Sequence, residues 1–310
     1  MDDAPRGYAI ELPVLGIATR FETGDAEVAR CVDEAFGMWR TLADRAVAGV
    51  TREPPLLVCV EVVEGDEGPL PAGGHAPVRY SCPDEARVVV ETAASVAVSD
   101  PLRRQAMARV TTGLVADRAH FRTEVLEAVT LALLSHFDRH PVHAAAVALR
   151  GRALLLAAPS GTGKSTLAYH CHLDGLDLLG EDHVRVQLEP RMRVWGWPAR
   201  VRLLVGATPG ERAAPGDAEK TVIHLERGTM LVADEIRACC LTRDGGPASL
   251  APLDVTTLAR VLDEQLAPGF DRFPHRWPAV RDALARGGGW RLNLSRDPRE
   301  GVALVRRALA

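Results

Sequence analysis

Hydrophobic residues recur along the chain at two spacings, which separate predicted helices from predicted strands. Helical spacing follows the capping residue Asp25, and it returns over 121–136, Lys164–Leu173, 255–266, 278–285 and Pro298–Leu309. Alternating or continuous apolar runs predict strands over 8–20 (with a break at Pro13), Leu56–Val63, 78–82, 87–92, Ala145–Leu149, 153–157, 184–188, 222–225, 236–241 and 290–294. Residues 96–115 fit either element, and 65–77 are loop by their Gly and Pro content. The pattern predicts an α/β protein.

The order of these elements predicts two domains. We expect an N-terminal α/β domain over 1–140, with substrate recognition as a candidate role, and a second domain over 141–310. The strands on either side of Arg150 and Gly151 predict a β-hairpin near the start of the second domain. This hairpin differs from a doubly wound nucleotide fold, where helices connect parallel neighbours.

A glycine-rich turn follows the hairpin and leads into a predicted helix. Residues 158–166, APSGTGKST, fit the template G/A-x-x-x-x-G-K-[ST], with Ala158 in the place of the usual first glycine. Backbone N–H groups of such a turn and of the helix N-terminus match the charge of a triphosphate. Lys164 is expected to reach the β- and γ-phosphates, and the Ser165 hydroxyl to hold Mg²⁺. The predicted nucleotide-binding residues are Ser160, Gly161, Thr162, Gly163, Lys164, Ser165 and Thr166.

Two acidic residues follow the next short apolar run. Glu181 and Asp182 stand where a carboxylate can reach both the metal and the terminal phosphate. Phosphoryl transfer needs Mg²⁺ held against the phosphates and a carboxylate that orients or deprotonates the attacking hydroxyl. The predicted metal ligands are therefore Ser165, Glu181 and Asp182. A solvated acidic turn is the plain alternative.

Together, three features resemble the catalytic domain of bacterial HPr kinase/phosphorylase and its relatives: His143 before the hairpin, the loop APSGTGKST and the segment LLGEDHVRV. The resemblance covers residues 140–190 well and the rest of the C-terminal half loosely. It implies a mixed sheet shared with phosphoenolpyruvate carboxykinase, with the phosphate loop between a strand and a helix. It also implies a kinase that uses Mg²⁺ and ATP, with GTP as an option, to phosphorylate a serine of a peptide or protein.

Matched position by position, the resemblance implies catalytic roles for Asp182, Lys164 and His143. Asp182 corresponds to the second acid of the family, the one assigned as the base. Glu181 corresponds to the first acid, where the family has aspartate. His143 corresponds to a histidine near the phosphates, although a hydrogen-bonded structural histidine is an alternative for it.

Beyond Leu188 the sequence departs from HPr kinases. Residues 191–204, RMRVWGWPARVRLL, stand in place of their glutamate-, arginine- and glycine-rich signature, and the N-terminal half also differs. These departures favour a resemblance to HPr-kinase-related kinases found with peptide natural-product clusters, including lasso-peptide kinases that act on a precursor's terminal serine. The alternatives are a kinase of small-molecule alcohols and a nucleotide-sensing module that transfers nothing.

Composition narrows the classes of partner. The chain has 310 residues, of which 47% are hydrophobic. Its net charge of −4 argues against a dedicated nucleic-acid or anionic-membrane surface. The N-terminus has no basic start or long apolar run, and six scattered cysteines include no C-x-x-C pair. We therefore expect no secretory signal, free thiols and a cytoplasmic location. The oligomeric state is open, with a homo-oligomer as one option.

Two further segments have open interpretations. Trp195 and Trp197 lie beside two arginines, and they form either a substrate platform or the core of a sheet with the arginines outward. Residues 206–219 are rich in Gly and Pro, and they predict a mobile loop that is a candidate lid.

Overall fold

The computed structural model describes residues 7–43, 54–71, 74–197, 200–204, 220–225, 231–264 and 276–310. The chain divides into two compact units, Met1–Phe137 and Asp138–Ala310. Both contain β-sheet with packed helices, so the predicted α/β class is confirmed. Among the described residues, no helix has the length and apolar character needed to cross a membrane.

The first unit is a single sheet with helices against it. Its strands are β1 (Tyr8–Val14), β2 (Ile17–Thr23), β3 (Leu56–Val63), β4 (Arg79–Ser81), β5 (Val88–Glu91), β6 (Val96–Asp100) and β7 (Gln105–Thr111). They pair in the order β1-β2-β3-β7-β6-β5-β4, with β3 parallel to both of its neighbours. Its helices are α1 (Ala26–Phe36), α2 (Arg40–Ala43), α3 (Thr112–Ala116), α4 (Arg118–His120), a π-helical segment (Phe121–Glu127) and α5 (Ala128–Ser135), with 3-10 turns at Gly37–Trp39 and Pro101–Arg103.

The strands of this sheet bury alternate residues, because successive side chains point to opposite faces and the helices cover only one of them. In β3, Leu56, Val58 and Val60 are buried, whereas the residues between them are more exposed. Phe21 of β2 stacks on Phe36 of α1, with ring centroids 4.8 Å apart. The core of the first unit therefore lies between one face of the sheet and the helices.

The predicted strand over 8–20 is instead a hairpin. Leu15 (φ 50°) and Gly16 (φ 75°) form a tight turn between β1 and β2. The Gly16 N–H donates a 2.9 Å hydrogen bond to the carbonyl of Pro13. A leucine seldom adopts a positive φ, so the apolar pattern gave no sign of this turn.

Three other local predictions have clear outcomes. Asp25 caps α1 as predicted, because its carboxylate accepts hydrogen bonds from two first-turn N–H groups. The ambiguous segment 96–115 contains both element types, since strand β7 ends at Thr111, whose hydroxyl accepts the Leu114 N–H and starts α3. The helix predicted over 121–136 begins as a π-helical segment, which buries its apolar residues as an α-helix would.

A buried carboxylate holds the segment after β3 in place. Glu67 is 6% exposed, although the surrounding composition is that of a loop. Its oxygens accept hydrogen bonds from the hydroxyls of Thr92, Ser95 and Thr111 and from the N–H of Ala94. Burial acts to raise the pKa of Glu67, but the hydrogen bonds from these hydroxyls outweigh it and lower the pKa. The group is therefore ionised at neutral pH.

We expect Glu67→Ala to lower the free energy of unfolding of the first unit by about 3 kcal/mol. The substitution removes charge-assisted hydrogen bonds and leaves the buried hydroxyls of Ser95 and Thr111 without their acceptor. Urea denaturation followed by circular dichroism measures the change. Because folding lowers this pKa, the stabilisation is present above the ordinary value of 4.5 and fades as the pH falls below it.

Glu64→Ala is the matched control, since Glu64 is an exposed glutamate of the same segment. It is expected to change the stability by less than about 0.5 kcal/mol. Equal losses in the two variants would show that the Glu67 hydrogen bonds contribute no net stability.

The second unit contains a larger set of strands. These are β8 (His140–Val142), β9 (Ala145–Leu149), β10 (Arg152–Ala157), β11 (Asp177–Gly180), β12 (Val184–Gln187), β13 (Arg193–Trp195), β14 (Arg200–Leu204), β15 (Lys220–His224), β16 (Val232–Ala233), β17 (Glu235–Thr242), β18 (Ser249–Leu253) and β19 (Gly289–Asn293). The main sheet has the order β11-β9-β10-β17-β19-β18, a smaller sheet has the order β16-β13-β12-β8, and β14 pairs with β15. The helices are α6 (Lys164–Leu173), α7 (Val255–Glu264), α8 (Trp277–Ala285) and α9 (Pro298–Leu309).

The main sheet is mixed and is buried on both faces. Strand β10 runs parallel to β17 and antiparallel to β9, which confirms the predicted mixed sheet and hairpin. One face packs on α6 and α9, and the other packs on α7, α8 and the smaller sheet. Cys239 and Cys240 belong to opposite cores, because adjacent residues of a strand point to opposite faces of the sheet, and all six cysteines are free thiols.

Candidate active site

Two chain connections lie side by side where the main sheet meets the smaller sheet. Residues 143–144 join β8 to β9, and residues 181–183 join β11 to β12. Strand β9 pairs with β11 in the main sheet, while β8 pairs with β12 in the smaller one. Because Val184 lies opposite Val142, the two connections are held next to each other. This pairing brings the predicted histidine and the predicted acidic pair together.

Asp182 lies between two histidines of these connections. Its Oδ1 is 2.9 Å from Nε2 of His143, and its Oδ2 is 3.3 Å from Nε2 of His183. The hydrogen bond from His143 is the main cause that holds the pKa of Asp182 well below its usual range. Burial opposes this effect, while the electrostatic influence of His183, His143 and Lys164 reinforces it. Asp182 is therefore ionised at neutral pH, and 29% of its side chain is exposed.

Glu181 differs from Asp182 in its surroundings. It is 8% exposed, whereas the neighbouring aspartate reaches solvent. The two members of the acidic pair thus have different environments, and the predicted role of Glu181 as a metal ligand stays a prediction.

The glycine-rich turn connects the end of β10 to the start of α6. Gly161 and Gly163 have φ values of 81° and 114°, which residues with a Cβ rarely adopt. Gly163 is the N-cap residue of α6, and it has no side chain to accept a hydrogen bond from the first-turn N–H groups. The strand, turn and helix predicted from the motif are thus present at the predicted residues. Whether the turn binds phosphate stays a prediction.

Lys164 folds back over this turn. Its Nζ donates a 2.6 Å hydrogen bond to the carbonyl of Ala158, and the side chain is 6% exposed. Ala158 is itself buried in the core that α6 and α9 share with the main sheet. The alanine at the first position of the motif therefore fills the core with its methyl group and offers its carbonyl to the lysine.

The other motif residues lie around the turn and the first helical turn. Ser160 is exposed, and the hydroxyl of Thr162 donates a 2.9 Å hydrogen bond to the carbonyl of Pro159. Ser165 and Thr166 are half-buried in the first turn of α6. The structure thus gathers the predicted nucleotide-binding residues at one end of β10, and the influence of Lys164 on Asp182 connects this group with the acidic segment.

Arg243, which no sequence motif indicated, lies beside the turn. A Cβ built on Gly163 would stand 3.1 Å from a guanidinium nitrogen of Arg243, an exposed residue directly after β17. Because β10 and β17 are parallel, their carboxyl ends meet at the same edge of the sheet. The available signal was a basic residue at the end of a predicted strand. To use it, one would have to know that β17 is the neighbour of β10 in the sheet.

Asn293 at the end of β19 fixes the backbone that follows Arg243. Its amide donates to the Asp244 carboxylate at 2.6 Å and to the carbonyl of Pro247 at 3.1 Å, while its oxygen accepts the Asp244 N–H. The residue is 8% exposed, so these bonds are sheltered from water. They hold the connection after β17 next to the glycine-rich turn.

The open interpretation of Trp195 resolves in favour of the core. Its ring is 1% exposed, and its indole N–H donates to Oε1 of Gln187 at 2.8 Å. The guanidinium of Arg139 lies over the ring, 4.9 Å from its centroid. The neighbouring arginine side chains and the candidate lid over 206–219 fall outside the residues that the structure describes.

Comparison with known proteins gives only distant likeness, and that to solved structures. No family model matches the chain, and no curated protein matches it. Among solved structures, the chain is similar to the HPr(Ser) kinase/phosphatase from Coxiella burnetii, with 10% sequence identity and a TM-score of 0.33. The aligned part covers 55% of this chain and 90% of that one. At such low similarity, any functional assignment depends on the site residues themselves.

Proposed function

We propose that the second unit is a kinase that transfers the γ-phosphate of ATP, or of GTP, to a serine hydroxyl of a peptide or protein. One observation carries this proposal. The ionised carboxylate of Asp182 is held by His143 and lies within electrostatic reach of Lys164, which opens the helix after the glycine-rich turn. A module that only senses a nucleotide has no need for an oriented carboxylate beside the phosphates.

Lys164 is suited to bind the terminal phosphates. Its ammonium group now donates to a neutral carbonyl, which a charged phosphate oxygen can replace with a stronger hydrogen bond. Arg243 supplies a second cation near the same turn. The N–H groups at the start of α6 add the positive end of the helix dipole.

The choice of lysine at position 164 supports the same role. Of the 37 basic residues in the chain, all but Lys164 and Lys220 are arginine. A composition that favours arginine so strongly would rarely place lysine in this position of the motif by chance. Lysine is a compact point charge on a flexible stem, whereas the larger guanidinium group would not fit as readily under the turn.

The acidic segment offers the donors that Mg²⁺ prefers. Asp182, Glu181 and the hydroxyl of Ser165 present oxygen atoms only, and Asp182 carries a full negative charge. These residues would hold Mg²⁺, which would supply positive charge against the negative charge that develops on the transferred phosphate. The donor set therefore fits this ion.

Asp182 would act on the attacking hydroxyl chiefly by orientation. An ionised carboxylate accepts a hydrogen bond from the serine O–H and directs its oxygen towards phosphorus. Because the pKa of Asp182 is lowered, it is a weak proton acceptor until bond formation is advanced, which suits the loose transition state of phosphoryl transfer. His143 would position this carboxylate through its hydrogen bond.

Mass spectrometry of candidate acceptors tests the function. The full chain is incubated with Mg·ATP and serine-containing peptides, first those encoded beside its gene, with reactions lacking enzyme as controls. We expect a mass gain of one phosphoryl group on a serine. Phosphorylation of small alcohols in place of peptides would change the acceptor class. Binding of ATP without transfer to any acceptor would favour a nucleotide sensor and overturn the proposal.

A further inference from the structure

Three side chains of the first unit bring metal-binding atoms together. His75, Asp117 and His120 each offer one ligand atom, and these atoms all lie within 4.8 Å of one another. Nδ1 of His75 is 2.5 Å from Oδ2 of Asp117. Two imidazoles and one carboxylate are a ligand set that Zn²⁺ and neighbouring divalent transition metals bind. We propose that these three residues form a zinc-type metal site, separate from the nucleotide chemistry of the second unit.

The spacing of the two imidazole rings suits a shared ion. The ring centroids of His75 and His120 are 5.0 Å apart. With Zn–N bonds of about 2.0–2.1 Å and tetrahedral angles, two imidazoles on one zinc place their centroids about 5 Å apart. The rings are stacked with their planes 18° apart, so they need little relative translation but a rotation about their side-chain bonds to direct both lone pairs at the same ion.

The contact between His75 and Asp117 is the place where the ion would enter. The two atoms are at hydrogen-bond distance, whereas ligand atoms of a tetrahedral zinc are separated by about 3.3 Å. Binding would replace the hydrogen between them with the metal, and the hydrogen of a neutral His75 would move to Nε2. The His75 side chain is 60% exposed, so it has room for this small shift.

His120 and Asp117 are fixed by the backbone around them. Asp117 is the N-cap residue of α4 and His120 is the last residue of this helix, a spacing of three that puts their side chains on one side of a helical turn. Nε2 of His120 is 2.7 Å from the carbonyl of Ala76, which accepts its hydrogen and leaves the lone pair on Nδ1. Metal-binding histidines commonly donate their second nitrogen to a carbonyl in this way. Asp117 makes no side-chain capping bond to α4.

The segment that carries His75 is also anchored. Ala76 is 5% exposed, and the hydroxyl of Tyr80 donates to the Glu124 carboxylate at 2.6 Å. Glu124 lies in the π-helical segment directly after His120, so this hydrogen bond ties the chain that follows His75 to the helix that follows His120. A metal ion would fasten residues 74–77 to the start of α4, with three protein ligands and a fourth position open to water.

Cobalt(II) titration of the full chain tests the site. We expect one Co²⁺ per chain with visible absorption bands of low-symmetry coordination and without the intense near-ultraviolet band of thiolate ligands. Zn²⁺ should displace the ion and abolish the bands. His75→Ala and Asp117→Asn should each weaken the binding at least about tenfold. Because His75 is largely exposed and Asp117→Asn keeps the side-chain shape, circular dichroism should confirm that both variants fold.

Two controls make the result specific. His136→Ala removes an imidazole elsewhere in the first unit, and it should leave the cobalt affinity unchanged. Asp182→Asn removes the carboxylate between His143 and His183, another place where histidines and an acid converge, and it should also retain the first-unit site. Absence of bound cobalt in the wild-type chain, or equal affinity in His75→Ala, would overturn the proposal.

Discussion

Lys164→Ala is expected to abolish the rise in thermal stability that Mg·ATP gives the wild-type chain. At a ligand concentration of 100 times the Kd, binding stabilises the folded state by about 2.7 kcal/mol, and this increment should vanish. Phosphoryl transfer should fall by at least about a thousandfold, since the variant loses the cation that meets the developing phosphate charge. Thermal unfolding with and without nucleotide, and a transfer assay, measure the two effects.

The quantity to compare is the rise in thermal stability that Mg·ATP causes in each variant, and not the stability without nucleotide. The substitution also removes the hydrogen bond from Lys164 to the carbonyl of Ala158. That loss can lower the baseline stability with no bearing on ATP. Arg307→Ala is a matched control, since it removes an exposed cation from α9 of the same unit. Arg152 at the amino end of β10 bonds the last carbonyls of α9, so Arg307 lies near the end of β10 opposite the turn. An unchanged increment in Lys164→Ala would remove the nucleotide site from this turn.

The parts of the site that are local in sequence could be predicted. Hairpin, turn and helix follow one another within residues 145–173, and each is specified by its own apolar run or glycine signal. Strand β10 and helix α6 accordingly lie where the sequence placed them. The same local logic placed Glu181 and Asp182 directly after a strand, and the structure has the buried strand β11 there.

Contacts that depend on strand order could not be predicted. Arg243 lies beside Gly163 because β10 pairs with β17, whose residues are distant in the sequence. His183 directly follows Asp182 in the chain, but the sequence does not show that the connection between β11 and β12 turns its imidazole towards that carboxylate. Glu67 was hidden in an apparent loop, because its hydroxyl partners come from later segments of the first unit.

The short strands were missed for a different reason. Strands β8, β13 and β16 contain two or three residues each, too few to show a period of two. Strand β8 leads directly into β9, and its partner β12 follows β11, so the pairing of β9 with β11 in the main sheet brings these short segments together. These strands nevertheless matter to the site, since pairing of β8 with β12 places His143 against Asp182.

Asp182→Asn is expected to retain the ATP-induced stabilisation while phosphoryl transfer falls about a thousandfold or more. Asparagine keeps the size of the side chain, but it cannot match the charge of a carboxylate toward Mg²⁺ or toward the serine hydroxyl. Single-turnover assays and thermal unfolding with nucleotide separate transfer from binding. Asp177→Asn makes the same chemical change on β11, and it should alter turnover by less than about twofold.

The pH dependence of stability provides an independent readout of the same carboxylate. Because folding lowers the pKa of Asp182, the ionised group stabilises the second unit above its ordinary pKa of 3.8. This contribution is lost as the pH falls through the folded pKa, so the stability difference between wild type and Asp182→Asn should shrink in acid.

Near-normal turnover in the variant would remove Asp182 from catalysis, whereas loss of the ATP-induced increment would make it a nucleotide-binding residue. We expect neither result, because Lys164 and the N–H groups of the turn should supply most of the nucleotide binding, whereas the charge of Asp182 acts mainly when the phosphate moves.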